Sequence, residues 1–134
     1  MKCWICGNPA DSREHGPKAS DLKMLFPKVS QQSPIYTKNK EGKIIRIGSL
    51  NSDKLKWDNK LCHTCNTTRT QRYDLAWQAL STYLQEESNR LKTEINFVDI
   101  FPEPSNNSML DVHLYFVKMF GCIVVEHIIP KVCN

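Results

Sequence analysis

Two thiols stand at the spacing of a metal knuckle in Leu61-Cys62-His63-Thr64-Cys65-Asn66-Thr67-Thr68-Arg69. Asn66 follows the second thiol directly, and Arg69 comes three residues after Asn66. A helix is expected to start at or shortly after Asn66 and to run to about Lys92, since large apolar residues recur at steps of three, four or seven. That stripe consists of Tyr73, Trp77, Leu80, Leu84 and Leu91.

A second Cys-x-x-Cys pair, Cys3 and Cys6, lies near the start of the chain, with a Gly-Asn-Pro turn behind it. Two such pairs can close one tetrahedral zinc site. Six cysteines would fit disulfides in a secreted protein, but no apolar signal segment precedes Cys3. We therefore expect thiolates in a reducing, cytoplasmic compartment, with Cys122 and Cys133 left over as buried or incidental thiols.

The charge of the chain is unevenly distributed. Its 134 residues have ordinary globular composition and a net charge of +4. Residues 1–72 carry a net charge of +8, whereas residues 73–134 carry −4. A basic first half suits a polyanionic partner such as nucleic acid, although a solvated lysine-rich surface would give the same distribution of charge. The longest apolar run, Leu114 to Val125, has 12 residues and contains Lys118, so no membrane span is expected.

The coarse pattern predicts a small α+β protein. We expect one domain over residues 1–93, which holds the two cysteine pairs and the long helix, and a C-terminal extension over 94–134 that packs on it. Pro27 should stop the first helix, and a Pro-rich linker should separate the two parts. The predicted elements are a helix at 19–26, a hairpin at 35–37 and 43–47, a helix at 109–120 ended by Gly121, and a short strand at 122–125.

Between the knuckles, the dipeptide Glu14-His15 can carry chemistry. Adjacent side chains on an extended strand point to opposite faces, so that one can hold a metal ion while the other faces water. The dipeptide is unspecific alone, and its value comes from its position after one knuckle and before the other. Glu126-His127 is a similar pair, but no Cys-x-x-Cys-Asn follows it. We therefore prefer His15 as the candidate base.

Taken in order, these motifs resemble the HNH endonucleases of the subtype in which four cysteines bind a zinc that braces a ββα-metal finger. The run Cys-Asn-Thr-Thr-Arg-Thr-Gln-Arg-Tyr-Asp-Leu-Ala-Trp at 65–77 is similar to a signature of small, mostly bacterial and phage-type members. The resemblance covers roughly residues 3–77. The matching positions are Cys3, Cys6, Glu14, His15, Asn59, Cys62, Cys65 and Asn66.

The resemblance implies a role for each matching residue. His15 would be the general base, and Glu14 with Asn66 would hold one catalytic Mg²⁺ or Mn²⁺. Asn59 would fix the loop that orients His15, and Arg69 would contact phosphate. The four cysteines would hold a structural Zn²⁺ that does no chemistry. The implied activity is hydrolysis of phosphodiester bonds in DNA.

Several alternatives stay open. The spacing from Asn59 to Cys62 is short, so Asp58 or Asn51 could share the orienting role. The segment between His15 and Asn59 is longer than a minimal finger needs, which implies an inserted hairpin at 35–47, and this hairpin is either a basic DNA clamp or purely structural. The runner-up function is a non-catalytic zinc-finger module that binds nucleic acid or protein. A third is a ribonuclease or toxin-like effector with the same finger, which only substrate tests separate.

Overall fold

The computed structural model describes residues 1–39, 41–58, 60–87, 95–101 and 105–127. Within these ranges the chain is α+β, with one two-stranded sheet, which confirms the predicted class. The elements are α1 (Ala19–Leu25), β1 (Ile35–Lys38), β2 (Ile44–Ile47), a 3₁₀ turn (Asp53–Leu55), a π-helix (Cys65–Arg69), α2 (Gln71–Glu86), α3 (Phe97–Ile100) and α4 (Ser105–His127).

The hairpin is confirmed. Strands β1 and β2 pair antiparallel, with Ile35 opposite Ile47, and Ile47 is fully buried. Gly42 adopts a positive φ of 77° in the connecting turn, a conformation that side-chain-bearing residues rarely adopt. The hairpin forms its own small core with the apolar side of α1, through Leu22, Ile47 and Leu55.

Two backbone bridges hold the first part of the chain against the segment before the second knuckle. Ser12 pairs with Leu61, and His15 pairs with Lys56, both antiparallel. The Trp57 amide also donates to the Glu14 carbonyl at 2.9 Å. The segments that contain these pairs therefore lie side by side, and Leu61 directly precedes the knuckle from which the π-helix and α2 continue.

Helix α1 begins without a side-chain cap, although Asp21 lies in its first turn. Asp21 instead accepts hydrogen bonds from the Trp77 indole at 2.8 Å and from the Ser81 hydroxyl at 2.9 Å. The Asp21 carboxylate therefore makes a tertiary contact with α2 and does not cap its own helix.

Helix α4 is the largest departure from prediction. It runs from Ser105 to His127 without a break, so the end at Gly121 and the short strand at Cys122–Val125 are wrong. β-branched residues favour strands locally, but here packing decides. Gly121 lies against the Trp4 ring, and the fully buried Cys122 joins the core of the two knuckles. The division at residue 93 lies outside the described residues.

By length and composition, Asn106–His127 would suffice to cross a membrane, which the 12-residue apolar run alone did not indicate. The same test is passed by core helices of soluble proteins.

We predict that Gly121→Ala destabilises the protein. Alanine favours a helix over glycine by about 1 kcal/mol, but its Cβ would lie 2.6 Å from Trp4 Cε2 and Cη2. Such overpacking costs about 1–3 kcal/mol, so the free energy of unfolding measured in urea should fall. In a Trp4→Leu background the same change should be neutral or stabilising. An equal loss in both backgrounds would contradict the contact.

Candidate metal centre and neighbouring charge cluster

The structure brings the two knuckles together. Cys3, Cys6, Cys62 and Cys65 each offer a sulfur atom, and all four lie within 4.8 Å of one another. The Sγ atoms of Cys6 and Cys62 are 3.6 Å apart, too far for a disulfide bond. Zn–S bonds of 2.3 Å in a tetrahedron would separate the sulfurs by about 3.8 Å. The spacing therefore fits a metal ion such as zinc.

The backbone of each knuckle is shaped for this role. In the first, the Gly7 amide donates to the Cys3 carbonyl at 2.8 Å, and Gly7 adopts a positive φ of 79°. In the second, the Cys65 amide points at the Cys62 sulfur at 3.4 Å. An amide aimed at a thiolate stabilises its negative charge and orients it toward the metal.

The thiols differ in acidity before any metal binds. Burial opposes ionisation of Cys3, but hydrogen bonds from the backbones of Cys62, Cys6 and Ile5 outweigh it and lower its pKa to about 7. Burial, and then the neighbouring thiols, raise the pKa of Cys65 to about 12. Four thiolates this close repel one another, so a bound cation is needed before all four can ionise.

Glu14 reaches away from the thiols into a second cluster. Its Oε2 lies 2.8 Å from the Nζ of Lys118, and the same Nζ lies 2.9 Å from Oδ2 of Asp74. The Lys118 side chain is only 2% exposed. Burial would lower the pKa of Lys118, but the two carboxylates outweigh it and raise that pKa. Lys118 is therefore a buried cation shared by two acids.

A second lysine extends this cluster. Lys18 donates to the Asp74 backbone carbonyl at 2.6 Å and lies over the Tyr115 ring, 5.7 Å from its centroid. Burial lowers the pKa of Lys18, although Asp74 counters the effect. Tyr115 stacks on Trp77 with centroids 5.3 Å apart. Burial and the nearby carboxylates raise the pKa of Tyr115.

The remaining predicted site residues lie apart from the charge cluster. The Nε2 atom of His15 is 3.3 Å from the Leu50 carbonyl oxygen. Asn66 donates through Nδ2 to Ser12 Oγ at 2.9 Å, and its Oδ1 is buried without a hydrogen-bond partner. Arg69 is exposed and borders a cleft of about 190 Å³. Trp4 of the first knuckle and residues of α2 and α4 also line this cleft. Asn59 lies outside the described residues.

Neither alternative for the orienting residue has a recorded contact with His15. The Asp58 carboxylate lies 3.8 Å from the guanidinium of Arg13, and the backbone N–H of Asn51 donates to Ser49 Oγ at 3.2 Å. His127 is exposed at the last residue of α4, not on a strand. Another cleft, of about 420 Å³ beside α2 and α3, contains none of the predicted site residues.

Among the residues that the structure describes, the four cysteines are the one group of three or more His, Cys, Asp or Glu at metal-ligand distances. Sequence reasoning missed the cluster around Lys118. One signal pointed to it, because a lysine inside an apolar run is rarely buried unless it is paired. The identity of its partners required the tertiary structure.

Comparison with protein-family models, with curated proteins and with solved structures gave no match. The resemblance described from the sequence therefore stays a hypothesis that the site's chemistry must support.

We predict that the protein binds one zinc ion through the four cysteines. Cobalt substitution should give the absorption of tetrahedral thiolate coordination, and Cys65→Ser should abolish it. Cys122→Ser is the matched control, because Cys122 is equally buried but lies outside the group of four. Loss of cobalt absorption in both variants, or in neither, would contradict the assignment.

The affinity for zinc should fall as the pH drops, because a proton competes with the metal at Cys65 even above pH 7, and it should fall more steeply below about 7, where Cys3 is protonated as well. Competition with a chromophoric chelator across a pH series measures this. Affinity independent of pH would show that the thiols do not titrate on binding.

We predict that Lys118→Met costs up to about 3–5 kcal/mol of unfolding free energy, because Glu14 and Asp74 would be left as adjacent, partly buried acids without their shared cation. Chemical denaturation measures the loss, with Lys23→Met on exposed α1 surface as control. Adding Glu14→Gln should recover part of the loss by removing one charge. No difference between the two lysine variants would mean that the cluster contributes nothing.

Proposed function

We propose that the protein is an endonuclease of the HNH type that hydrolyses phosphodiester bonds in DNA, with His15 as general base. One observation carries the proposal. The antiparallel pairs Ser12–Leu61 and His15–Lys56, followed at once by the knuckle and helix, have the order of a ββα-metal finger, and Cys62 of the Cys₄ cluster follows Leu61 directly. The basic first half of the chain suits a phosphate backbone.

The surroundings of His15 suit a general base, because a carbonyl group lies within reach of one ring nitrogen. If its Nε2–H donates to the Leu50 carbonyl, the ring is oriented and Nδ1 keeps a free lone pair. That lone pair can take a proton from an attacking water, and such a base is typically worth about 10² to 10⁴ in rate. In this arrangement the Leu50 carbonyl performs the orienting role that the resemblance gives to Asn59.

The divalent ion, Mg²⁺ or Mn²⁺, fits these residues only in part. The buried, unpartnered Oδ1 of Asn66 is suited to accept a cation. Glu14 is not free to do so, because the ammonium group of Lys118 already lies against its carboxylate. The pair therefore does not form a ready ion site, and the proton transfer at His15 is the step that the chain's own residues supply.

The Glu14–Lys118 ion pair favours one other candidate, a zinc-braced module that binds nucleic acid without cutting it. A carboxylate neutralised by a buried lysine contributes to the fold and leaves catalysis without its acid. On this alternative, the basic surface binds phosphate and Arg69 is one of the contacts.

Nicking of supercoiled plasmid DNA, assayed with Mg²⁺, with Mn²⁺ and with chelator, tests the proposal. We expect His15→Ala to lower the nicking rate about 10²- to 10⁴-fold while zinc content and fold are retained. His127→Ala should retain wild-type activity, because His127 lies at the end of α4.

A folded, zinc-loaded wild type that shifts DNA in a gel but cuts neither DNA nor single-stranded RNA would favour the binding module. Cleavage of RNA alone would indicate the ribonuclease alternative. Loss of activity in His127→Ala instead of His15→Ala would mean that the base has been assigned to the wrong part of the chain.

A further inference from the structure

The charges of helix α4 all face the rest of the protein. Its Lys, Arg, Asp and Glu residues are Asp111, Lys118 and Glu126. Asp111 accepts from Arg72 Nε at 3.2 Å, and Glu126 lies 2.8 Å from the Nζ of the buried Lys60. Lys118 is buried between two acids. Ion pairs thus fix α4 to the molecule along its length.

The outward face of α4 is apolar. Its large exposed side chains recur at helical spacing and form a stripe, with His113 and His127 as its polar members. The stripe consists of Leu110 (53% exposed), Phe116 (50%), Val117 (55%), Phe120 (65%) and Ile123 (40%). A surface helix normally presents its apolar face inward and its charges to water. Helix α4 is apolar on both sides: Val112, Tyr115 and Cys122 are buried on its inner face, where its charges also lie, and the outer face carries large apolar side chains as well.

We propose that the outward face of α4 is the contact surface for a second copy of this chain, giving a homodimer. No Lys, Arg, Asp or Glu of α4 points outward, so pairing this face with itself would desolvate no unpaired charge of the helix. A two-fold dimer brings the same patch of both copies together, and an uncharged patch is complementary to itself. The proposal does not rest on the proposed nuclease activity.

The size of the stripe is sufficient for such a contact. Exposed large apolar side chains each present about 150–250 Å² when free, so the five together leave roughly 500 Å² uncovered. Two copies would bury roughly 1,000 Å², the lower limit for a specific interface. The cleft beside Leu114 and Val117 adjoins the stripe and adds apolar surface to its rim.

Two features argue against a lipid occupant. A spanning helix would have to expose its ion-paired side to hydrocarbon, where charged groups are costly. A helix lying on a membrane surface usually carries Lys or Arg on its polar face to meet anionic head groups. The one lysine of α4 is buried against Glu14 and Asp74 instead.

The experiment is sedimentation of the zinc-loaded, reduced protein over a wide concentration series. We expect the wild type to shift from monomer to dimer as concentration rises, and Phe120→Asp to remain monomeric. Tyr36→Asp is the matched control, because Tyr36 is an aromatic residue with 64% exposure on β1, away from α4. It should dimerise like the wild type.

A wild type that stays monomeric throughout would overturn the proposal. So would a dimer that persists in Phe120→Asp, since another surface must then form it. Flotation of the wild type with phosphatidylcholine–phosphatidylglycerol vesicles, lost in Phe120→Asp, would identify lipid as the occupant and also overturn the proposal. Circular dichroism and zinc content establish that each variant is folded.

Discussion

The closure of four thiols around one point is the constraint on which the remaining structure depends. It joins residues 3–6 to residues 62–65 across a long intervening segment. Closing such a loop costs conformational entropy, and a metal–thiolate site of about 10–16 kcal/mol can offset it. Once the loop is closed, Ser12 and His15 lie against Leu61 and Lys56, and the helix that carries Asn66 begins. The small apolar core around Cys3 and Leu61 then packs between backbone segments that are held in place.

Helix α4, from the C-terminal part of the chain, packs against these segments. It supplies Cys122 to the apolar core of the knuckles and Lys118 to the acids at positions 14 and 74. A buried lysine is stable only with partners in good geometry, so the pairing fixes how α4 sits on α2. The same pairing occupies the carboxylate that the HNH resemblance needs for an ion. Stability of the fold and availability of the site therefore depend on one contact.

The Lys, Asp and Glu residues of α4 lie on the side that faces the protein, and large apolar residues lie on the side that faces outward. These Lys, Asp and Glu residues are all used for internal ion pairs, and only His113 and His127 remain as polar members of the outer stripe. An apolar patch of this size is about the largest that a monomer typically exposes, and such patches are often functional. The fold thus uses α4 twice, as an internal strut and as an external contact.

The sequence by itself determined the features that depend on local spacing. The Cys-x-x-Cys pairs, the hairpin with its turn at Gly42, and the helix after the second knuckle were predictable because their signals lie within a few residues. Only the tertiary structure decided the rest. The Asp21 carboxylate bonds the Trp77 indole, and Gly121 lies inside a helix against Trp4. Glu14 pairs with Lys118. Each of these contacts depends on a partner that is distant in sequence. Local propensity is worth about 1 kcal/mol or less per residue, and a buried ion pair or ring contact outweighs it.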